Sequence, residues 1–197
     1  MTREAWLNAL AAQLDTALFT PRGHPLPGRL RVSVGWPSRG GTATIKRVVG
    51  QCWYDDQSDD HAFEVFISPT IADPIRAGDV LVHELCHAVL PAGVKHGRPF
   101  ARLAAEMGLE GKPTATTAGD ELRTLLMTLT GDIGPYPHAE LRPMVPVRKQ
   151  TTRMLKAACP ECGYTVRLAR QWLDVAVPTC PVHGGEMAHE TPEPVAA

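Results

Sequence analysis

The chain has 197 residues, 44% of them hydrophobic, with 20 basic and 21 acidic side chains. That length allows one moderate domain and a small one, and the apolar fraction is ordinary for a globular protein. A formal charge of −1 excludes a global electrostatic bias toward nucleic acid. No apolar run approaches the roughly 20 residues of a helical membrane span.

Residues 2–18 read as a helix with Trp6, Leu7, Leu10, Leu14 and Leu18 on one side. Its opening, Thr2-Arg3-Glu4-Ala5-Trp6-Leu7, lacks the apolar stretch of a signal peptide. The five cysteines include two CxxC-like pairs, which suits a reducing compartment, so a cytoplasmic chain is expected. Pro21, Gly23, Pro25, Pro27 and Gly28 make a loop. Leu30, Val32, Val34 and Trp36 alternate as a strand. Thr44 to Tyr54 and Phe63 to Ser68 read as a β-hairpin around an acidic tip of Asp55, Asp56, Asp59 and Asp60. Cys52 and Cys86 read as buried apolar residues.

Asp73-Pro74 is a helix start, with Asp at the N-cap and Pro at the first helical position. Ile75, Val80, Leu81, Leu85, Ala88 and Val89 then form an apolar stripe with helical spacing, and Pro91 and Gly93 stop the helix. Gly78 costs this helix about 1 kcal/mol relative to Ala, a cost consistent with close packing. Inside the helix lies His83-Glu84-Leu85-Cys86-His87. Histidines four apart share one helical face, so two imidazoles can hold one Zn²⁺ ion. Glu84 follows the first and is placed to act as general base toward water. A catalytic zinc needs a third protein ligand and one open position. The metzincin spacing fails, because Leu90 stands three residues past His87. Two candidates remain: His96, just before Gly97 and Pro99, and Glu106 on a further helix marked by Phe100, Leu103, Ala104 and Met107.

The run H-E-L-C-H-A, followed by H-G-x-x-F at His96, Gly97 and Phe100, resembles the SprT-like domain of the SprT and Spartan families. The likeness covers roughly residues 30–110 and is nearer to bacterial and phage SprT-like proteins. It implies a zincin-like α+β fold, zinc metallopeptidase activity on a protein substrate, and a tie to DNA. It also implies His83, His87 and His96 as ligands of the catalytic zinc, with Glu84 as the catalytic base. Many zincins lay an extended substrate along an edge strand, and Phe63–Ser68 is the candidate. Tyr136 or His138 is a candidate oxyanion donor.

Gly119-Asp120-Glu121 opens another helix through Leu122, Leu125, Leu126 and Leu129, ended by Gly131 and Gly134. Pro135, Pro137, Pro143 and Pro146 mark a stiff linker. Beyond it, Cys159-Pro160-Glu161-Cys162-Gly163 and Cys180-Pro181-Val182-His183-Gly184 are spaced as the two knuckles of a zinc ribbon. Four protein ligands, Cys159, Cys162, Cys180 and His183, make a closed and therefore structural zinc site; His189 is the rival fourth ligand. Val166, Leu168, Trp172, Val175 and Val177 suggest short strands, with Trp172 as ribbon core or as a stacking surface for a base.

Residues 142–170 concentrate basic charge, with Glu161 as the only acid. Arg148, Lys149, Arg153, Lys156, Arg167 and Arg170 are the candidate nucleic-acid-binding residues, and DNA a candidate partner. The expected organisation is an SprT-like zincin domain over residues 1–134, a Pro-rich basic linker over 135–155, a zinc ribbon over 156–190 and a disordered tail over 191–197. Two zinc ions are expected, one catalytic and one structural, and no membrane partner. The alternative function is a zinc-ribbon nucleic-acid-binding regulator with little or no protease activity.

Overall fold

Thr2 starts the first helix: its hydroxyl oxygen accepts the Ala5 N–H at 3.1 Å, satisfying an amide that a helix N-terminus leaves without a partner. The computed structural model describes residues 1–43, 47–142 and 154–189, and the chain forms two compact units, Met1–Met144 and Val145–Ala197. Together they mix helix and strand, consistent with an α+β protein. Helix α1 (Arg3–Leu14) runs into a π turn at Asp15–Phe19. Trp6, Leu7, Leu10, Leu14 and Phe19 are fully buried, and each such side chain stabilises the fold by about 1.5–3 kcal/mol through burial.

Strands β1 (Leu30–Val34), β2 (Gly50–Trp53) and β3 (Phe63–Ile67) form a mixed sheet in the order β1-β3-β2. β1 runs parallel to β3, and β2 antiparallel to it. The Phe63–Ser68 segment is therefore not an edge. Its peptide groups are paired on both sides, with β1 and with β2, and its Val65 and Ile67 side chains are fully buried. The β1 edge is closed by Asn8 of α1, whose amide donates to Val32 C=O at 2.8 Å and accepts from Val32 N–H at 3.0 Å. That leaves β2 as the open edge among the described residues. β2 begins at Gly50 rather than Thr44, with residues 44–46 outside the described set. Trp36 lies beyond β1 and is 39% exposed, so the apolar alternation outruns the strand.

Helix α2 (Pro74–Ala88) starts at Asp73, whose carboxylate accepts the N–H groups of Ile75 at 2.7 Å and Arg76 at 3.1 Å. Val80, Leu81 and Leu85 are buried. Gly78 lies against Leu126 of helix α4 (Asp120–Ile133); a Cβ there would sit 2.7 Å from Leu126 Cδ2. Close approach of the two helices is what the glycine permits. Helix α3 (Arg98–Glu106) leads into a hairpin, β4 (Leu109–Lys112) antiparallel to β5 (Ala115–Ala118). The sequence reading contains no such hairpin. Gly131 does not end α4, which continues to Ile133 and stops at Gly134 with φ of 94°.

The residues after α4 return to the first unit instead of starting a linker. Trp6 Nε1 donates to Gly134 C=O at 2.8 Å. Tyr136 packs on Trp6 with ring centroids 4.6 Å apart, and the Leu141 N–H donates to Pro69 C=O at 2.8 Å. Prolines hold this stretch extended, and the buried Tyr136 ring straps it down. The rest of the expected linker, residues 143–153, lies outside the described residues, as does the tail at 191–197.

In the second unit, β6 (Leu155–Ala158) pairs antiparallel with β7 (Thr165–Leu168) and β8 (Ala188–His189). Its buried core is Ala157, Cys159, Cys180 and Met187. The segment after β7 is not a strand but a single helical turn, α5 (Arg170–Leu173). Trp172 is 61% exposed on it and Val175 is 75% exposed. Trp172 is therefore no part of the ribbon core.

Candidate metal centres

Helix α2 presents His83 and His87 on one face, one turn apart. The loop between α2 and α3 turns twice, with Val94 N–H on Pro91 C=O at 3.3 Å and Gly97 N–H on Val94 C=O at 3.1 Å. It carries His96 back over that face. His83 Nε2 lies 3.1 Å from His96 Nε2, and His87 Nε2 lies 3.2 Å from it. The Phe100 ring, fully buried, forms the floor: His87 stacks on it at 4.3 Å between centroids, and His83 and His96 lie 4.8 and 4.9 Å from it. Burial and neighbouring imidazoles hold His83 near pKa 3 and His87 near 4, and burial lowers His96 as well. All three rings are thus neutral at neutral pH, with lone pairs available to a cation.

A tetrahedral zinc with Zn–N bonds of about 2.0–2.1 Å sets its nitrogen ligands roughly 3.3 Å apart. The spacing here fits such an ion, and the set of His83, His87 and His96 is compatible with zinc. Thr116 of β5 completes the arrangement: its hydroxyl oxygen lies 2.8 Å from His83 Nδ1. When Nδ1 donates to it, Nε2 is left as the lone-pair nitrogen directed at the cluster. Thr116 is 9% exposed. Sequence alone does not single it out; the signal available is the turn at Lys112-Pro113-Thr114 followed by the β-branched pair Thr116-Thr117.

Glu84 is 6% exposed, and burial pushes its carboxyl up to about 8, opposed by the Cys52 backbone N–H. A cation held by the neighbouring imidazoles would favour its carboxylate form. The backbone of β2 passes directly over it at Gly50. A Cβ at Gly50 would collide with Glu84 Oε1 and sit 2.7 Å from Val80 Cγ1. Cys52 and Cys86 lie close by. Burial and the charge of Glu84 push the Cys52 thiol up to about 12 and raise that of Cys86, so both are protonated, unreactive thiols.

The histidines and Glu84 open into a cleft of about 940 Å³ between β2, α2, the His96 loop and the β4–β5 hairpin. Glu106 is elsewhere: it faces His24 at 3.8 Å in a hollow with Arg98 and Arg102. Tyr136 and His138 do not reach the cleft. Tyr136 is buried against Trp6, and His138 Nε2 lies 2.9 Å from Pro69 C=O. The apolar contact with Trp6 outweighs any placement over an open site, so neither residue is an oxyanion donor.

The second cluster holds Cys159, Cys162, Cys180 and His183. Cys162 and Cys180 sulfurs are 3.7 Å apart, and His183 Nδ1 is 3.7 Å from the sulfurs of both Cys159 and Cys180. Zn–S bonds of about 2.3 Å predict sulfur separations of roughly 3.8 Å, so this donor set also fits zinc. Two turns of the same design build it. Gly163 at φ 73° donates to Cys159 C=O at 3.0 Å, and Gly184 at φ 69° donates to Cys180 C=O at 2.8 Å. Backbone N–H of Cys162, more than any other group, lowers the Cys159 thiol. His189 stays outside the cluster on β8, with its Nδ1 buried and without a partner among the described residues.

Of the candidate nucleic-acid-binding residues, Arg148, Lys149 and Arg153 lie outside the described set. Lys156 and Arg167 are cross-strand partners on β6 and β7, both exposed. Arg170 lies 4.0 Å from Asp174. No described helix is long and apolar enough to cross a membrane. In comparison with known proteins, no family model, no curated protein and no solved structure matches this chain.

Proposed function

We propose that the chain is a zinc-dependent metallopeptidase of SprT-like type with a zinc-stabilised ribbon. One observation carries the reading: three neutral imidazoles converge at zinc-ligand spacing beside a buried glutamate, at the head of a cleft flanked by an open strand edge. A purely structural metal site has no need of Glu84 or of an open face. The reading also rests on the H-E-L-C-H-A and H-G-x-x-F runs of the sequence.

Zinc bound at these histidines would polarise a peptide carbonyl and make water a better nucleophile at neutral pH. The residues of the chain do the rest. Val49 C=O accepts Ser68 N–H at 2.9 Å, so the peptide groups of Gly50 and Cys52 alternate away from β3. An extended substrate can pair with Gly50 and with the Cys52 C=O antiparallel to β2, the role that the sequence alone assigns to Phe63–Ser68. Pairing there draws the scissile carbonyl past Glu84. The Glu84 carboxylate takes the proton of the attacking water and returns it to the departing amine. Thr116 holds His83 in register while this occurs.

Glu84→Gln keeps the size of the side chain and all three histidines. Its zinc content and Tm should match wild type, while cleavage of an unstructured protein falls about 10²-fold or more, as for loss of a general base. Cleavage at an undiminished rate would rule out the mechanism. A nucleic-acid-binding regulator is the second reading. It is favoured by the exposed Trp172 and the Lys156–Arg167 pair on the ribbon, and the protein would then bind DNA without cleaving anything.

A further inference from the structure

The cleft is charged in a way that the composition of the chain does not explain. The chain has 21 acidic side chains against 20 basic ones, yet among the described residues the only acid lining the cleft is Glu84, against four cations: Arg47, Arg76, Lys95 and Lys112. Arg76 is neutralised by Asp79 at 2.6 Å. Arg47, Lys95 and Lys112 take part in no ion pair among the described residues. They come from three separate segments: the approach to β2, the loop beside His96, and the tip of the β4–β5 hairpin. Free cations thus stand on more than one side of Glu84. Lys95 and Lys112 are exposed and free to meet a ligand, while Arg47 is anchored by its Nε on Ala43 C=O at 2.9 Å.

We propose that this cleft selects extended peptide segments carrying acidic side chains on both sides of the bond to be cut. The proposal rests on the peptidase reading of the histidine centre and adds its substrate class. Cations lining a concave, partly desolvated surface focus a positive potential into it, so a carboxylate is attracted and a lysine repelled. The β2 edge decides between a peptide and a nucleic-acid strand. It offers main-chain N–H and C=O groups in alternation, which a second peptide matches and a phosphodiester chain does not.

The test uses the full, zinc-loaded chain carrying Glu84→Gln, so that binding is read without turnover. Three matched fluorescent peptides carry Glu, Gln or Lys around one central apolar pair. The Glu peptide should bind roughly tenfold tighter than the Gln peptide, since each exposed ion pair contributes a factor of about 1.5–5. The Lys peptide should bind most weakly. The preference should shrink as salt rises toward about 0.5 M and the screening length falls to a few ångströms. Arg47→Glu with Lys112→Glu should invert the order while leaving zinc content and Tm unchanged; Lys112→Glu alone should reduce it. Equal affinity for the Glu and Lys peptides overturns the proposal. So does a single-stranded oligonucleotide that binds more tightly than the Glu peptide and displaces it at the same salt. Turnover by the wild type separates the two layers of the argument. A Glu peptide that binds preferentially but is never cut sinks the peptidase reading and keeps the selectivity. Cleavage without preference for Glu does the reverse.

Discussion

The two candidate metal clusters, both compatible with zinc, are built by opposite routes. The histidine centre is carried by a helix inside a unit that has a large core of its own: Trp6, Phe19, Leu81, Leu85 and Phe100 are all fully buried. The cysteine cluster has a core of four buried residues, two of them its own ligands, Cys159 and Cys180. In the first unit the fold positions the ligands. In the second the ligands position the fold. Ligand count follows the same division: three donors leave a place for chemistry, and four leave none.

The largest consequence is in stability. Structural zinc contributes apparent free energies of about 10–16 kcal/mol in small zinc-dependent folds. Cys159→Ser or Cys180→Ser, or a strong chelator, should unfold the ribbon while the first unit stays folded. Hydrogen exchange resolved along the chain tests this: amides of β6 and β7 should lose protection, and those of α1 and α2 should keep it. If protection of both units falls together, the comparison between a metal-built and a core-built unit is wrong.

Next in size is the loss of the first metal without loss of its fold. His96→Ala should remove one zinc equivalent and leave the melting of the first unit nearly unchanged, because His96 is exposed and contributes little to the core. Glu106→Ala should keep both zinc ions, since Glu106 faces His24 and not the histidine cluster. Elemental analysis of the two variants reads the difference. A Glu106→Ala protein that loses zinc would show that the ligand set is misassigned.

How much of this was legible in the sequence follows from the range of the interactions. The α2 helix was readable to the residue at its start, because Asp73-Pro74 acts locally on the backbone amides of Ile75 and Arg76. The two knuckles were readable because each Cys-Pro-x-(Cys or His)-Gly run makes its own turn. The sheet order was not. Whether Phe63–Ser68 is edge or centre depends on β1, which pairs with it from some 30 residues away, and on Asn8 closing the far edge. Tyr136 and His138 follow a related rule: proline spacing announces extended backbone but not the surface, Trp6 and Pro69, on which these two side chains lie.

Thr116 belongs to the same long-range class, and removing it should act more gently than removing a ligand. Thr116→Val keeps the β-branched shape and deletes the oxygen 2.8 Å from His83 Nδ1. Loss of a partner behind a metal-bound histidine typically costs about 10–100-fold in metal affinity. Competition with a zinc-binding dye should show that loss at the histidine centre and none at the ribbon. Thr116→Ser, which restores the hydroxyl, should recover most of it. An unchanged affinity in Thr116→Val would mean that helix α2 alone sets the imidazole geometry.

The smallest expected effect sharpens the role of the ribbon. Its four-ligand cluster would leave a zinc ion no open position, so any part the ribbon plays in substrate choice must come from its surface. Lys156 and Arg167 stand directly opposite each other on β6 and β7. Like charges in that position work against the sheet, a cost that a bound phosphate would relieve. If the ribbon holds DNA, each cation that meets a phosphate contributes about one unit to the log–log dependence of binding on salt. Lys156→Ala with Arg167→Ala should then flatten the slope of the full chain on a duplex oligonucleotide by about two units. It should also raise the melting temperature of the unbound ribbon slightly, by removing the repulsion. A slope that does not change, or no binding even at low salt, would leave the ribbon as a folding or protein-docking module. The exposed Trp172 would then be better sought as a contact for protein than for a base.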